Sequence, residues 1–163
     1  PKLIQELKYS VLILDNVKYN FLTRIQRYNM NKLKALLHNN VIHNLLHKVE
    51  DYDQIIIDAF TTPDKYFEYL KEEKKIIENV ELVEKGESKY IAVATASVIA
   101  RYYFLCEMEK LSKEVGFDLP KGAGSKVDLA ISKILKDQSE RYLDLISKTN
   151  FKNLEKAKRK DSR

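Results

Sequence analysis

The chain is poor in the residues that cross-link or interrupt a polypeptide. Its 163 residues include one cysteine, three prolines, four glycines and no tryptophan. The single Cys106 excludes an intramolecular disulfide framework, and its apolar sequence neighbours favour a packing role over a nucleophilic one. The scarcity of proline and glycine predicts long regular elements, rich in helix. These absences favour a reducing compartment, and we expect the protein in the cytoplasm.

Long apolar runs and a secretion signal are also lacking. The longest nearly uncharged run, residues 90–100, is too short to cross a bilayer. The chain opens with an amphipathic segment that has no cleavage motif. With 44% hydrophobic and 33% charged residues, the composition is that of a globular protein and not of a disordered one. We therefore expect one folded domain with no membrane partner.

A positive net charge is what the chain does have. The formal charge of +5 permits a polyanionic partner without requiring one. Several basic side chains fall near the predicted strands, loops and helix starts, where they could neutralise the backbone phosphates of a nucleic acid. A solvated surface charge is the alternative for each of them. These candidates are Lys32, Lys34, Lys89, Arg101, Lys121 and Lys126.

Three short runs of apolar and β-branched residues predict strands, at residues 8–14, 53–60 and 80–83. Asp15 and Asn16 would end the first strand with a turn. The second run contains three successive isoleucines, which are typical of a parallel sheet covered by helices on both faces.

Two helices are predicted between these strands. Leucines spaced by three and four residues predict a helix over residues 29–48, with Asn29 or Asn31 as its N-cap. Thr62 and Pro63 suit the start of the next helix, which would reach about residue 75.

Two further helices are predicted after the third strand. One runs over residues 88–113 and stops before Gly116, and the other runs over residues 125–137 with Ser125 as its cap. The alternation of strands and helices predicts an α/β fold that becomes helix-rich in its C-terminal half.

Two acidic residues stand where they could do chemistry. Asp58 ends the second predicted strand, which is where open α/β sheets bind their ligands. It could cap the following helix, or it could be a metal ligand or catalytic carboxylate. Glu87 precedes the long small-residue helix and could simply stabilise its first turn. If the two strands are neighbours, both carboxylates could instead converge on one hard cation such as Mg²⁺.

Two other motifs carry weaker signals. His43 and His47 could share a helix face, but Asn44 replaces the glutamate of a zinc-protease motif and no third ligand is evident. Packing or solvated histidines are therefore favoured. Residues 122–126, GAGSK, resemble part of a phosphate-binding loop without its GK[ST] ending. Their backbone N–H groups could hold a phosphate, or the segment could be an ordinary capped loop.

Several stretches of the chain resemble one known family. KGESKYIAVATASVIARYYFL, residues 85–105, is similar to the signature region of type 2 ribonucleases H, and of the ribonuclease HIII branch in particular. Other stretches agree in order and spacing, so that the resemblance covers nearly the whole chain. They are SVLILDNVKYN, NKLKALLHN, IIIDAF, LPKGAGSKVD and FKNLEKA.

The resemblance implies a fold and a reaction. The family has an RNase H-like layered fold with four carboxylates, Asp-Glu-Asp-Glu in the HIII branch, that bind two divalent ions. By motif position Asp58 matches the third acid and Glu87 the fourth, so the resemblance makes both of them catalytic metal ligands. The intact, monomeric enzyme would hydrolyse the RNA strand of RNA–DNA hybrids with two Mg²⁺ or Mn²⁺ ions.

The sequence departs from the family pattern at the other two acids. The family's first strand carries an adjacent Asp-Glu pair, and no such pair occurs in this chain. The family's substrate-binding N-terminal domain has no counterpart either. We therefore expect residues 1–163 to be the C-terminal portion of the catalytic domain, with the first strands of the sheet missing and no cleavage activity alone. The alternatives are a non-catalytic nucleic-acid-binding module on the same fold and a metal-independent interaction domain.

Overall fold

The structure, a computed structural model, describes residues 7–151 and residue 153. It confirms the predicted α/β class. The stretch FKNLEKA and the basic residues after it lie almost wholly outside the described residues. In chain order the described elements are α1 (Asn16–Arg24), α2 (Met30–Leu46), β1 (Ile55–Asp58), α3 (Pro63–Leu70), β2 (Val80–Val83), α4 (Gly86–Lys89), α5 (Ile91–Val115), α6 (Ser125–Leu135) and α7 (Glu140–Ile146).

The described residues form two compact units. The first contains Tyr28–Tyr102 and the described residues up to Ile13, and the second contains Leu14–Arg27 and the described residues from Tyr103 onward. The first unit therefore holds both strands, and α5 contributes its N-terminal half to the first unit and its C-terminal half to the second.

A parallel pair of strands organises the first unit. β1 and β2 pair in register from Ile55 opposite Val80 to Asp58 opposite Val83. The parallel pairing is confirmed, and β2 has the bounds predicted for the third strand. The strand predicted at residues 53–60 is shorter in the structure, where β1 contains only Ile55–Asp58. Because the strands are parallel and in register, their carboxyl ends lie at the same edge of the sheet.

The core of the first unit forms where α2 and α3 pack beside β1. Its fully buried apolar side chains are Ala35, Ile57, Tyr66 and Leu70. Asn29 starts α2 as predicted, because its side chain accepts a hydrogen bond of 2.8 Å from the Lys32 amide.

Helix α3 begins where the sequence predicts and ends earlier. Thr62 caps it and Pro63 occupies its first turn. It ends at Leu70 instead of about residue 75. The buried Asn39 of α2 holds the segment that follows, because its side chain donates to the Lys75 carbonyl (2.8 Å) and accepts from the Ile77 amide (3.0 Å).

The predicted helix over residues 88–113 is divided in the structure. Tyr90 is extended (φ −124°, ψ 119°), and it separates the single turn α4 from the 25-residue α5. Gly116 ends α5 as predicted, with φ +83°. By length and composition alone, α5 is long and apolar enough to cross a membrane, with a mean hydropathy of 1.3 over its most apolar 18 residues. Core helices of soluble proteins can have the same length and composition, so these two properties do not assign α5 to a membrane.

Two predictions near the N-terminus are wrong. Residues 8–14 are not a strand, because within the described residues they pair with no other strand, and Leu12 and Ile13 are exposed. Asp15 does not end a strand but caps α1, accepting a hydrogen bond of 2.7 Å from the Lys18 amide. Helix α1 was not predicted.

The described part of the second unit contains helices and loops but no strand. Its core contains Ile131, Ile134, Leu143 and Ile146, from α6 and α7. Helix α6 is capped by Gly124 and not by the predicted Ser125, which is already its first helical residue.

Candidate metal centre

Asp58 lies at the carboxyl end of β1, with its side chain exposed at the edge of the sheet. Its Oδ1 atom accepts a hydrogen bond of 2.7 Å from the Gly86 amide. The Ala59 amide donates to the Val83 carbonyl (3.0 Å), which extends the strand pairing one residue past Asp58. Asp58 does not cap α3, because Thr62 does so. The carboxylate is therefore held by the turn that follows the neighbouring strand.

That turn depends on two special backbone positions. Lys85 adopts the left-handed conformation (φ 55°, ψ 41°), which is unusual for a residue with a side chain. Gly86 is buried, and a Cβ atom there would lie 3.3 Å from Asp58 Cα and 3.4 Å from Asp58 Oδ1. These separations are shorter than an ordinary carbon contact. The absence of a side chain at Gly86 is what lets the turn approach Asp58 so closely.

Glu87 follows Gly86 directly and belongs to the single turn α4. The hydrogen bond between Gly86 and Asp58 therefore brings the backbone next to Glu87 against the end of β1. Glu87 is exposed, and it is not in the first turn of α5, which contains no acidic residue. The structure thus brings the two predicted acids to one edge of the sheet through their backbones, and metal binding by their carboxylates stays a prediction.

The carboxylates of Asp58 and Glu87 have oxygen atoms that no group of the described residues engages and that could coordinate a metal ion. In the described part of the chain, the Gly86 amide is the only hydrogen-bond donor to Asp58, and no hydrogen bond or ion pair engages Glu87. Exposed carboxylate oxygens suit hard cations such as Mg²⁺ and Mn²⁺. Among residues 7–151 and 153, no three acidic, histidine or cysteine side chains form a group that could hold a metal. Asp58 and Glu87 would therefore supply only part of an ion's coordination shell.

An aromatic and basic cluster adjoins Asp58, and the sequence singled out only one of its members, Lys34. The His38 ring stacks on Phe60, with centroids 5.4 Å apart and planes 18° apart. Lys34 Nζ lies 5.3 Å from the centroid of the same Phe60 ring. Burial and the positive charge of Lys34 lower the pKa of His38, while the negative charge of Asp58 acts in the opposite direction. The spacing of these residues in the sequence could have indicated the cluster. Lys34 and His38 are four residues apart on a predicted helix, and Phe60 is two residues after Asp58.

The six basic candidates fall into different settings. Lys34, Lys89 and Arg101 are exposed residues of the first unit, as are Asp58 and Glu87. Lys32 is in the first unit too, but its ammonium pairs with Glu72 (3.5 Å) and lies 4.1 Å from the Tyr28 ring centroid. The second unit contains the two remaining candidates, Lys121 and Lys126, both exposed.

The weaker motifs of the sequence find structural explanations. The rings of His43 and His47 lie 4.4 Å apart, and His47 Nδ1 forms a hydrogen bond of 2.7 Å with the His43 carbonyl. The Asn153 side chain donates to the Ala123 carbonyl in the loop before α6 (3.0 Å) and to Asp128 in the first turn of α6 (2.6 Å). These contacts agree with packing roles for the histidine pair and the loop.

The fold and the site first define a class: α/β proteins that gather carboxylates at the carboxyl edge of a parallel sheet. Within that class, the family model of Ribonuclease HII matches residues 1–154. The chain therefore belongs to the ribonuclease HII family, which confirms the resemblance to type 2 ribonucleases H.

Relatives named ribonuclease HIII are similar to the chain over most of its length. The protein of Phytoplasma mali is 42% identical over 156 residues, which are 96% of this chain and 54% of the relative. That of Bacillus mycoides is 45% identical over 159 residues, 96% of this chain and 51% of the relative. The chain thus spans about half the length of the curated relatives it matches.

Solved structures agree with these relatives. Bst-RNase HIII in complex with Mn²⁺ is 44% identical, with a TM-score of 0.88 over 92% of this chain and 49% of that one. Aquifex aeolicus RNase H3 has a TM-score of 0.60 over 84% of this chain and 46% of that one. At 23% identity, the Aquifex likeness concerns the fold alone.

Proposed function

We propose that this chain supplies two metal-binding carboxylates, Asp58 and Glu87, to a ribonuclease H that cleaves the RNA strand of RNA–DNA hybrids. The observation that carries the proposal is the hydrogen bond of 2.7 Å from the Gly86 amide to Asp58 Oδ1. It fixes one acid at the end of β1 and brings the residue before the other acid to the same place. Membership of the ribonuclease HII family supports the reaction, and the Mn²⁺ complex of a relative supports the class of ion.

Each acid would have its own part in that site. Asp58 is anchored through Oδ1, so its other oxygen remains to face a cation without losing the contact with Gly86. Glu87 is exposed and unpaired in the described structure, so it can turn toward the same cation. Two bound Mg²⁺ or Mn²⁺ ions would activate a water molecule and stabilise the leaving 3′-oxygen, which yields 3′-hydroxyl and 5′-phosphate ends. The protein's remaining task is to hold the hybrid by its backbones.

We propose further that cleavage needs acids from outside this chain. No Asp-Glu pair occurs in the sequence, and two carboxylates leave most of each ion's shell to water. The exposed apolar face of α5 supports a missing neighbour, since Ile91 is 87% exposed and Val98 60%. In this proposal an upstream part of the catalytic domain completes the sheet and covers α5, and the whole acts as a cytoplasmic monomer without a membrane.

The metal site is tested by Mn²⁺ binding to the chain alone, measured by electron paramagnetic resonance. Asp58→Asn and Glu87→Gln should each weaken binding by on the order of tenfold, because each removes one of two charges from a hard-ion site. Asp53→Asn is the matched control, since Asp53 is exposed and lies just before the same strand. Equal Mn²⁺ affinity for all three variants and the unchanged chain would refute the metal site.

The reaction is tested by complementation. The upstream half of a ribonuclease HIII relative, which carries the Asp-Glu pair, is added to the chain with Mn²⁺ and a labelled hybrid. We expect cleavage of the RNA strand with both parts present, none with either part alone, and none with Asp58→Asn. Cleavage by the chain alone would show that the proposed division of the active site is wrong.

The second candidate is a non-catalytic nucleic-acid-binding module on the same fold. It is favoured by the net charge of +5 and by the lack of a third acidic ligand among the described residues. The same experiments distinguish it: the module binds the hybrid with the same affinity with or without divalent ions, and it stays inactive when the upstream half is supplied.

A further inference from the structure

A ridge of three side chains stands beside the proposed metal centre. It consists of Lys34 and His38, one helical turn apart on α2, and Phe60, two residues after Asp58. Both α2 side chains meet the Phe60 ring, His38 by stacking at 5.4 Å and Lys34 with its ammonium 5.3 Å from the centroid. We call this cluster the ridge.

Phe60 gives the ridge a fixed base. Its ring packs against the buried cluster of the first unit and meets the fully buried Tyr66 edge-on, with centroids 6.3 Å apart. A ring held on one side by the core and on the other by His38 has little freedom to move. A lysine ammonium that rests near such a ring is held more closely than one on an open surface.

The position of Phe60 places the ridge near Asp58, because the ring that both Lys34 and His38 contact lies two residues after that acid. In agreement with this, burial and the positive charge of Lys34 lower the pKa of His38, and the negative charge of Asp58 acts in the opposite direction. The charge of Lys34 therefore lies near the edge of the sheet that carries Asp58.

Lys34 and Lys32 differ in whether their charge is compensated. Lys32 pairs with Glu72 at 3.5 Å and covers the Tyr28 ring at 4.1 Å. Lys34 is exposed, and no carboxylate of the described residues lies within salt-bridge distance of its ammonium. Of these two lysines, only Lys34 keeps its charge for a partner outside the chain.

We propose that Lys34 binds a backbone phosphate of the nucleic acid directly beside the Asp58–Glu87 metal site, and that the stacked rings of His38 and Phe60 position its ammonium. The proposal specifies one subsite of the proposed function. The ligand is a phosphodiester oxygen, which Lys34 contacts as a point charge, so the subsite favours no base sequence. His38 and Phe60 are positioning residues, because they act through Lys34.

The charge of Lys34 is tested by the salt dependence of hybrid binding. Binding of a short fluorescent RNA–DNA hybrid to the full chain is measured by anisotropy at several KCl concentrations, in EDTA so that no divalent ion contributes. Lys34→Gln should weaken binding several-fold at low salt and reduce the slope of log K against log [KCl] by about one. Lys32→Gln, which changes the net charge equally, should leave the slope within about 0.3 of the unchanged chain's.

Three results would overturn the subsite. The slope of log K against log [KCl] could be equal for Lys34→Gln and the unchanged chain. The two substitutions Lys34→Gln and Lys32→Gln could reduce hybrid affinity and slope equally, or the unchanged chain could fail to bind the hybrid at low salt. Each result would mean that Lys34 does not contact a phosphate through a charge of its own.

The positioning role is tested by a pair of substitutions at His38. His38→Phe keeps a flat ring on Phe60 and should retain the salt slope of the unchanged chain. His38→Ala removes the ring and should reduce the slope toward that of Lys34→Gln. Thermal unfolding of both variants controls for folding, and a folded His38→Ala variant with an unchanged slope would reject the positioning role.

Failure of the subsite and failure of the metal site are distinguishable. Asp58→Asn should weaken Mn²⁺ binding and leave the salt slope measured in EDTA unchanged. Lys34→Gln should reduce the slope and leave at least half of the Mn²⁺ affinity. If Asp58→Asn leaves Mn²⁺ binding intact, the metal site is wrong, whereas the Lys34 result stands by itself.

Discussion

Two acids of the second unit and the two candidate acids of the first unit have different surroundings. In the second unit, Asp144 accepts from Arg24 (2.9 Å) and Thr149 (3.1 Å), and the buried Asp128 accepts from Asn153 (2.6 Å). In the first unit, Asp58 accepts one backbone hydrogen bond in the described structure, and Glu87 has no partner there.

Carboxylates that are bound by protein groups have a structural role, whereas carboxylates without protein partners can bind a ligand. A buried carboxylate needs a fixed partner, because without one it loses its hydration and gains nothing. Asp58 and Glu87 are exposed, so water satisfies them until a cation displaces it. Asp128 and Asp144 are therefore expected to affect stability, and Asp58 and Glu87 to affect binding.

Asn20→Ala should cause the largest loss of stability, about 3 kcal/mol, because its side chain serves three backbone groups of the second unit. Asn20 donates to the carbonyls of Asp144 (3.1 Å) and Ser147 (2.9 Å) and accepts from the Thr149 amide (3.0 Å). Urea unfolding measures the effect. Asn40→Ala, at an exposed helical position, should change stability by less than about 0.5 kcal/mol. A weakened Mn²⁺ affinity in folded Asn20→Ala would break the separation between the units.

Gly86→Ala tests the close approach at the metal centre. A Cβ atom 3.3 Å from Asp58 Cα must push the turn away from β1, and the hydrogen bond to Asp58 Oδ1 lengthens with it. We expect a loss of about 1–2 kcal/mol in stability and a several-fold weaker Mn²⁺ affinity by titration. Gly124→Ala is the control, since a Cβ atom there meets nothing within 4 Å. Equal Mn²⁺ affinity in Gly86→Ala and Gly124→Ala would show that the turn does not position the acids.

Tyr66→Phe should stabilise the protein by about 1 kcal/mol at neutral pH, because the buried Tyr66 hydroxyl has no partner among the described residues. Burial raises the pKa of Tyr66 from 10.0 to about 12. The unfolded chain therefore loses this proton at lower pH than the folded one. The unchanged protein should lose stability as the pH rises from about 10 to about 12.

The loss of stability that Tyr66 causes between about pH 10 and about pH 12 should be absent in Tyr66→Phe. Urea unfolding at several pH values measures it. Tyr19→Phe, in the second unit, provides the comparison. The Tyr19 hydroxyl forms a hydrogen bond of 3.1 Å with Asn150 Oδ1, so its removal should destabilise the protein by about 1 kcal/mol. The same sign for both substitutions would contradict this account.

Local signals of the sequence predicted much of the fold. Asn29, Thr62 and Pro63 begin their helices as expected, because capping depends on residues within one turn. The strand at residues 8–14 was wrong because its apolar residues need a neighbouring strand, which a local pattern cannot supply. The path of the chain after α3 was not predictable for a similar reason, since Asn39 of another helix holds it at Lys75.

The candidate site shows the same division between local and distant causes. The end of a buried strand made Asp58 a candidate, and the turn after the next strand made Glu87 one. The role of Gly86 rests on a contact with a residue 28 positions away, so the sequence alone did not reveal it. In the ridge beside Asp58, Lys34 was a candidate from the sequence, whereas His38 was not, because its role depends on contact with Phe60, which lies outside its own helix.

The smallest predicted effect concerns the two left-handed residues, one in each unit: Lys85 (φ 55°) before the metal turn and Arg27 (φ 57°) after α1. Glycine adopts this conformation without the steric cost that a side chain incurs, although it loses more freedom on folding. Lys85→Gly should therefore be more stable than Lys85→Ala by up to about 1 kcal/mol, and Arg27→Gly should exceed Arg27→Ala similarly.

The two sites should differ in whether this strain affects binding. Alanine at position 85 is strained in the turn that carries Glu87, so the Mn²⁺ affinity of Lys85→Ala should be about twofold lower than that of Lys85→Gly, which has lost the same charge. Arg27→Gly and Arg27→Ala should bind Mn²⁺ equally. Urea unfolding of the four variants measures stability, and calorimetric titration measures Mn²⁺ affinity. Equal Mn²⁺ affinities for Lys85→Gly and Lys85→Ala would mean that the left-handed conformation at this turn is not needed to place Glu87.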